Sequence, residues 1–270
     1  MGRIETTLGR LGRLDALAAQ DTPATRLDPR GKLVVTVAFV AAVASVGRLE
    51  VGRLAPLAIF PLVLVPLGDV PWRPLLYRLA LAAPLALGVA AFEPLLDRAP
   101  ALALGDVTVS RGAVAMAVVL AKFLISLGAA LLLVATTGFD DVCAAMGRLG
   151  VPRVVVGQLS LTYRYLFVLG GEAARMVRAH DLRAPARRHP SFRSAGPLLG
   201  NLLVRAMARA ERVHAAMRAR GFDGRFPSRR PFRLRAVDGV FLGATLAALA
   251  VTRLVDVPAL LGAALPGGLR

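Results

Sequence analysis

The chain has 270 residues, 56% of them hydrophobic, at a mean hydropathy of +0.61, yet its formal net charge is +17. A soluble nucleic-acid binder would explain the charge but not the apolarity, so the composition points to a membrane protein with a large basic surplus. A single cysteine, Cys143, excludes an intrachain disulfide and any Cys-x-x-Cys metal or redox site.

Residues 1–32 carry Arg3, Arg10, Arg13, Arg26, Arg30 and Lys32 without the apolar core of a signal peptide, which predicts a cytoplasmic segment. Apolar segments follow at 33–46 and 54–67, separated by Gly47-Arg48-Leu49-Glu50. Both are shorter than the ~20 residues that usually span a bilayer, and they read as crossings out and back if Arg48 and Arg53 snorkel or the membrane thins. Trp72 and Tyr77, beside Arg73 and Arg78, mark the cytoplasmic interface. A third segment, 79–92, contains Pro84, and 97–111 reads as a sparsely charged outside loop. Residues 112–137 form the clearest span, interrupted only by Lys122, which either lines a polar path with Glu93 or, the simpler reading, packs against carbonyls or snorkels. A last crossing, 240–251 with its flanks, is interrupted nearby by Asp238, Arg253 and Asp256. The expected fold is all-α: a polytopic integral membrane protein with about five transmembrane helices, four within 33–137 and one within 237–270, and a cytoplasmic module at 138–236.

That module holds most of the charge, with 19 arginines against six acids between Asp140 and Arg235. Asp140 is placed to cap a short helix ending at Leu149, before Gly150 and Pro152. A longer helix over 153–184 carries the stripe Leu159, Tyr163, Leu166, Leu169, Ala173, Met176, His180, Arg183, and Pro185 stops it. After a basic linker at 186–190, a third helix over 194–222 has Ser194 as cap and Pro197 in its first turn. Its stripe, Leu199, Leu203, Ala206, Ala210, Val213, Met217, finishes on Arg220, directly before Gly221. Arg220 is open to two readings, a solvated cation closing an amphipathic helix or a docking tip. Lipid attraction accounts for the arginine surplus but not for two apolar stripes that each end on an arginine; exposed stripes of this kind suit helix-in-groove recognition.

Catalytic chemistry has little support. Gly31-Lys32 lacks the remaining elements of a phosphate-binding loop. His180, His189 and His214 lack metal-site spacing and two of them lie near arginines, and capping accounts for Asp140-Asp141. A membrane-embedded enzyme using Glu93, Lys122 or Arg164, and a basic lipid-binding scaffold, remain as readings from other classes.

Leu27-Asp28-Pro29-Arg30-Gly31-Lys32-Leu33, residues 131–137, Leu149-Gly150-Val151-Pro152, Tyr163-Arg164-Tyr165-Leu166 with Glu172 and Arg175-Met176, Arg209-Ala210-Glu211-Arg212 and Ala216-Met217-Arg218-Ala219-Arg220-Gly221-Phe222 run through nearly the whole chain. Together they resemble the transmembrane T component of energy-coupling factor transporters, in its cobalt-type CbiQ branch. The resemblance implies a non-catalytic subunit whose two coupling helices dock, through short arginine motifs, on a pair of cytoplasmic ATPases and pass their motion to a substrate-binding membrane subunit. It implies ATPase-docking residues Ala219, Arg220 and Gly221 in a full motif and Leu182, Arg183 and Ala184 in a variant one. It further implies no cofactor in this chain, with ATP and Mg in the ATPase and cobalt in the substrate subunit, and a multi-pass location in a bacterial or archaeal plasma membrane. Cobalt, linked to cobalamin biosynthesis, is favoured by Leu14-Asp15-Ala16-Leu17-Ala18 and overall length; nickel and biotin are the alternatives.

Overall fold

A computed structural model describes residues 9, 17–20, 22–97, 99–104, 107–183, 192–224 and 235–254; at 100–104, 107–109, 192–194 and 254 it gives the backbone alone. These residues fall into two compact units, one of those within 17–138 and 235–254, the other of residue 9 with 139–183 and 192–224.

The first unit contains α1 (Pro29–Ala44), α2 (Val51–Leu67), α3 (Trp72–Ala90), α4 (Glu93–Leu96), β1 (Pro100–Leu104), β2 (Val107–Ser110), α5 (Arg111–Thr137) and α9 (Ala236–Leu254). Among the described residues, three stretches are long and apolar enough to cross a membrane: Trp72–Leu96, Arg111–Thr137 and Ala236–Arg253. Leu81 and Leu85 of α3 are more than 70% exposed, an arrangement water penalises and lipid does not. The first two expected crossings coincide with α1 and α2, of 16 and 17 residues. At ~1.5 Å per residue they measure about 25 Å, short of a ~30 Å hydrocarbon layer. The third helix begins at Trp72, seven residues before its apolar segment, and Arg73 lies 6.0 Å from the Trp72 ring centroid.

The expected outside loop at 97–111 instead contains an antiparallel hairpin, with Leu102 opposite Val109 and Leu104 opposite Val107. Its sequence accounts for this: Ala-Leu-Ala-Leu and Val-Thr-Val-Ser alternate on either side of Gly105-Asp106, and the second run is β-branched. The hairpin delivers the chain to Ser110, whose hydroxyl accepts from the Ala113 N–H at 3.2 Å and caps α5.

Helix α5 packs against α1, α2, α3 and α4, while α9 packs on α1 and α2. The core is formed by Phe39, Val43, Val46, Leu54, Leu57, Val118 and Ala129, with the Phe39 and Phe60 rings 4.6 Å apart. Upstream of α1, the Ala24 N–H donates to the Leu67 carbonyl at the end of α2 at 3.3 Å, so the α1 start and the α2 end share one side of the unit.

Polar contacts tie α1 to its neighbours at both ends. At its start, Asp28 is the N-cap and accepts from the Arg30 N–H at 2.9 Å. The buried Asp238 carboxylate accepts from the Asp28 N–H and, through its other oxygen, from the Arg235 N–H, both at 2.8 Å. It thereby caps its own helix while holding the cap residue of another. Buried Lys32 donates to the Thr136 carbonyl of α5 at 3.0 Å. At the far end, Arg253 of α9 donates to the Ser45 carbonyl at 3.1 Å. Lys122 of α5 donates to the carbonyls of Ala44, at 3.4 Å, and Val46. Carbonyls at a helix C-terminus lack intrahelical partners and attract cations, so each tie has an electrostatic cause. The pairings make α9 parallel and α5 antiparallel to α1.

The second unit contains α6 (Phe139–Arg148), α7 (Arg153–Arg183) and α8 (Phe192–Ala219). Asp140 and Asp141 lie within the first turn of α6, so Asp140 serves the helix dipole there and is not its cap. Ser194 likewise falls inside α8, which starts two residues earlier, and Pro197 lies beyond its first turn. The Leu149-Gly150-Val151-Pro152 motif is a turn: Gly150 adopts φ +101° and the Val151 N–H returns to the Met146 carbonyl at 3.1 Å.

Candidate docking site

Helix α8 ends in a complete Schellman motif. The Gly221 N–H donates to Arg218 O and the Phe222 N–H to Met217 O, each at 3.0 Å, with Gly221 at φ +74°. A Cβ at Gly221 would meet nothing within 4 Å, so glycine serves the left-handed backbone and not a lack of space. Arg220 is the residue at the stop, with its N–H bonded to the carbonyls of Ala216 and Met217 at 3.2 Å. Ala219, Arg220 and Gly221 are all exposed. At the other tip, Arg183 is the last residue of α7; it and Leu182 are exposed, Leu182 at 79%. Ala184 lies outside the described residues, as do the linker at 186–190 and His189.

The apolar stripes divide between two jobs. Leu166 joins Leu161, Tyr165 and Leu169 on one wall of an open apolar groove of about 590 Å³; Ala206, Ala210, Val213 and Met217 of α8, with Phe222 just beyond it, form the other. Tyr163 faces elsewhere: its ring stacks on Phe139 at 4.3 Å and meets Phe167 edge-on at 5.1 Å, joining α7 to α6. Leu159 and Met176 are half-buried, while Leu199 and Leu203 are more than 60% exposed. A single stripe on α7 was too simple, because that helix carries apolar residues on two faces and packs α6 with one of them.

Glu172 is the polar link between the two long helices. Its side chain is only 12% exposed and accepts from Arg205 through Oε1 and from Arg209 through Oε2, each at 3.4 Å. As sequence, Glu172 and Arg209 are motif positions without a stated job. The readable signal is an acid in the middle of a basic helix whose other acid, Asp181, lies in the last turn, with arginines four apart on the next helix.

Lys122 caps α1, Glu93 starts the short α4, and Arg164 is an exposed residue of the other unit. Among the described residues, no cluster of three or more His, Cys, Asp or Glu has a metal-binding arrangement. Burial raises the Cys143 thiol pKa above its ordinary value; a Ser160 hydrogen bond opposes the shift and Asp140 adds to it.

The profile of the CbiQ family, described as a cobalt transport protein, matches residues 20–231. Among curated proteins, the chain is 36% identical over 121 residues to the cobalt transport protein CbiQ of Rhodobacter capsulatus, covering 44% of this chain and 50% of that protein. It is 34% identical over 91 residues to the nickel permease LarQ of Lactiplantibacillus plantarum, covering 34% and 33%, respectively. The CbiQ of Salmonella typhimurium is 31% identical over 106 residues, covering 39% and 47%. The chain therefore spans half or less of the length of these relatives. With the profile extending from ahead of the Asp28 cap to beyond the Gly221 stop, the chain belongs to the CbiQ family of energy-coupling factor T components, and so to the transport proteins and not the enzymes.

Proposed function

We propose that this chain is the coupling subunit of an ATP-driven importer in a prokaryotic plasma membrane. α1, α2, α3, α5 and α9 make five crossings from a cytoplasmic N-terminal segment, and α7 and α8 are cytoplasmic levers. Arg183 and Arg220 dock on a pair of ATPase subunits, which bind ATP and Mg, and the levers pass the ATPase motion to a membrane subunit that holds the ion. The observation that carries the reading is the α8 terminus, where a Schellman stop leaves Arg220 exposed at the end of an amphipathic helix. Cobalt is the favoured cargo because the family description and two of the relatives carry that name; nickel is the second reading, from LarQ.

The test is co-purification of the ATPase with the chain and ion uptake by the assembled transporter. Arg183→Glu combined with Arg220→Glu is expected to abolish both, while leaving the chain folded in detergent. Unchanged ATPase binding and uptake in the double variant would remove the docking role. Comparing Co²⁺ with Ni²⁺ uptake by the wild type decides the cargo.

A further inference from the structure

We propose that Glu172 is the fulcrum about which the two coupling helices rock, an inference that rests on the coupling role proposed above. α7 and α8 are antiparallel: residues from 158 to 169 of α7 face residues from 206 to 222 across the groove, while Glu172 meets Arg205 and Arg209. Arg183 lies eleven residues beyond Glu172, and Arg220 lies eleven beyond Arg209. Because the helices run in opposite directions, the two tips extend to opposite sides of the ionic contact. At ~1.5 Å per residue, each arm measures about 17 Å. At that length, a rotation of about 10° of either helix about the contact carries its tip by about 3 Å, so each tip can follow its own ATPase while the joint stays closed.

The contact has the character of a pivot. Both arginine contacts are long, at 3.4 Å, and the arginines are substantially solvated, so neither fixes the crossing angle tightly. The carboxylate itself is largely buried and is strongly disfavoured without a partner, so the joint bends more readily than it opens. Its fork engages two arginines one turn apart, which keeps one partner engaged as the other withdraws. The backbone around it is lightly built: Gly170, Gly171, Ala173 and Ala174 flank Glu172. Small residues let packed helices slide, as shear motions require. The groove on the Arg220 side leaves the helices unpacked there, giving that arm room to swing.

The test uses the complete transporter, formed by the full-length chain with its ATPases and membrane partner, in proteoliposomes. ATP hydrolysis and uptake are measured together, with Co²⁺ and Ni²⁺ in parallel. Glu172→Gln is expected to keep the ATPases bound, the melting temperature near wild type and hydrolysis running, while ions imported per ATP fall at least about fivefold. Glu172→Arg combined with Arg205→Glu and Arg209→Glu is expected to recover more than half of the wild-type ratio. An unchanged ratio in Glu172→Gln overturns the proposal. So does loss of the ATPases from Glu172→Gln, which makes the residue a structural prop, or a charge-reversed variant that assembles without recovering coupling. If the wild-type chain itself captures no ATPase, the coupling role fails, independently of position 172.

Discussion

Replacing Asp238, the one acid of α9, with alanine should destabilise the membrane unit. Its two oxygens accept the N–H groups of Asp28 and Arg235 at 2.8 Å, and the residue is 4% exposed. Alanine leaves both donors without their partner, the Asp28 N–H in a buried site and the Arg235 N–H in a partly buried one. At 1–3 kcal/mol for each unsatisfied group, the loss comes to about 3 kcal/mol. For a chain of this size, that corresponds to a melting temperature lower by about 6–12 °C in mild detergent. Asparagine retains one acceptor oxygen, so Asp238→Asn should lose about half as much. Exposed Glu211 on α8 provides the control, with Glu211→Ala expected to stay within about 0.5 kcal/mol of wild type. The assay is thermal unfolding followed by tryptophan fluorescence from Trp72, the only tryptophan in the chain. If Asp238→Ala melts within a degree or two of the wild type, or no earlier than Asp238→Asn, the carboxylate is not bridging two helix starts.

Gly112→Ala should be poorly tolerated despite its modest size, because a Cβ there would lie 2.5 Å from Glu93 O and Pro94 Cα and 2.6 Å from Asp97 O. All three are backbone atoms, so an overpacking loss of about 1–3 kcal/mol is expected, visible as a lower melting temperature. Gly221→Val forces a β-branched residue to φ +74°. The turn should fray at a cost of about 1–2 kcal/mol, faster hydrogen exchange at Phe222 and weaker capture of the ATPase. The Cys143 thiol, raised by burial, should alkylate far more slowly in the folded chain than after denaturation. Its folded-state value lies above the unfolded one, so the stability it contributes is complete below the unfolded value and is lost as pH rises through the folded one. A pH series of melting temperatures on wild type and Cys143→Ala should converge or cross at alkaline pH.

What could be read in advance was mainly what depends on neighbours a few residues away. α5 is evident from its unbroken apolar run, and α7 and α8 from their periodicity and from the Pro and Gly residues at their ends. Contacts between distant segments were not legible. Asp238 and Arg253 appear as interruptions in apolar segments because their partners lie 210 and 208 residues away, at the two ends of α1, whereas Lys122 packs against carbonyls as its simpler reading expects, those of Ala44 and Val46. The same distance hides the function of Glu172, since its arginines are 33 and 37 residues further on. The hairpin is hard to read for another reason: its paired strands are only five and four residues long, and alternation over so few residues resembles a sparsely charged loop.

The two-ended tie on α1 also bears on how the chain is made. α1 emerges from the ribosome early, but the carboxylate that receives the Asp28 N–H is encoded 210 residues later, and the Arg253 cation for Ser45 O comes later still. At translation rates of 5–20 residues per second, the first helix waits roughly 10–40 s for its last partners. During that interval Lys32 and Lys122 can join it to α5, but the ends facing α9 keep unpaired polar backbone. Completion of the membrane unit thus waits for α9, whose arrival pairs the Asp28 N–H and the Ser45 carbonyl.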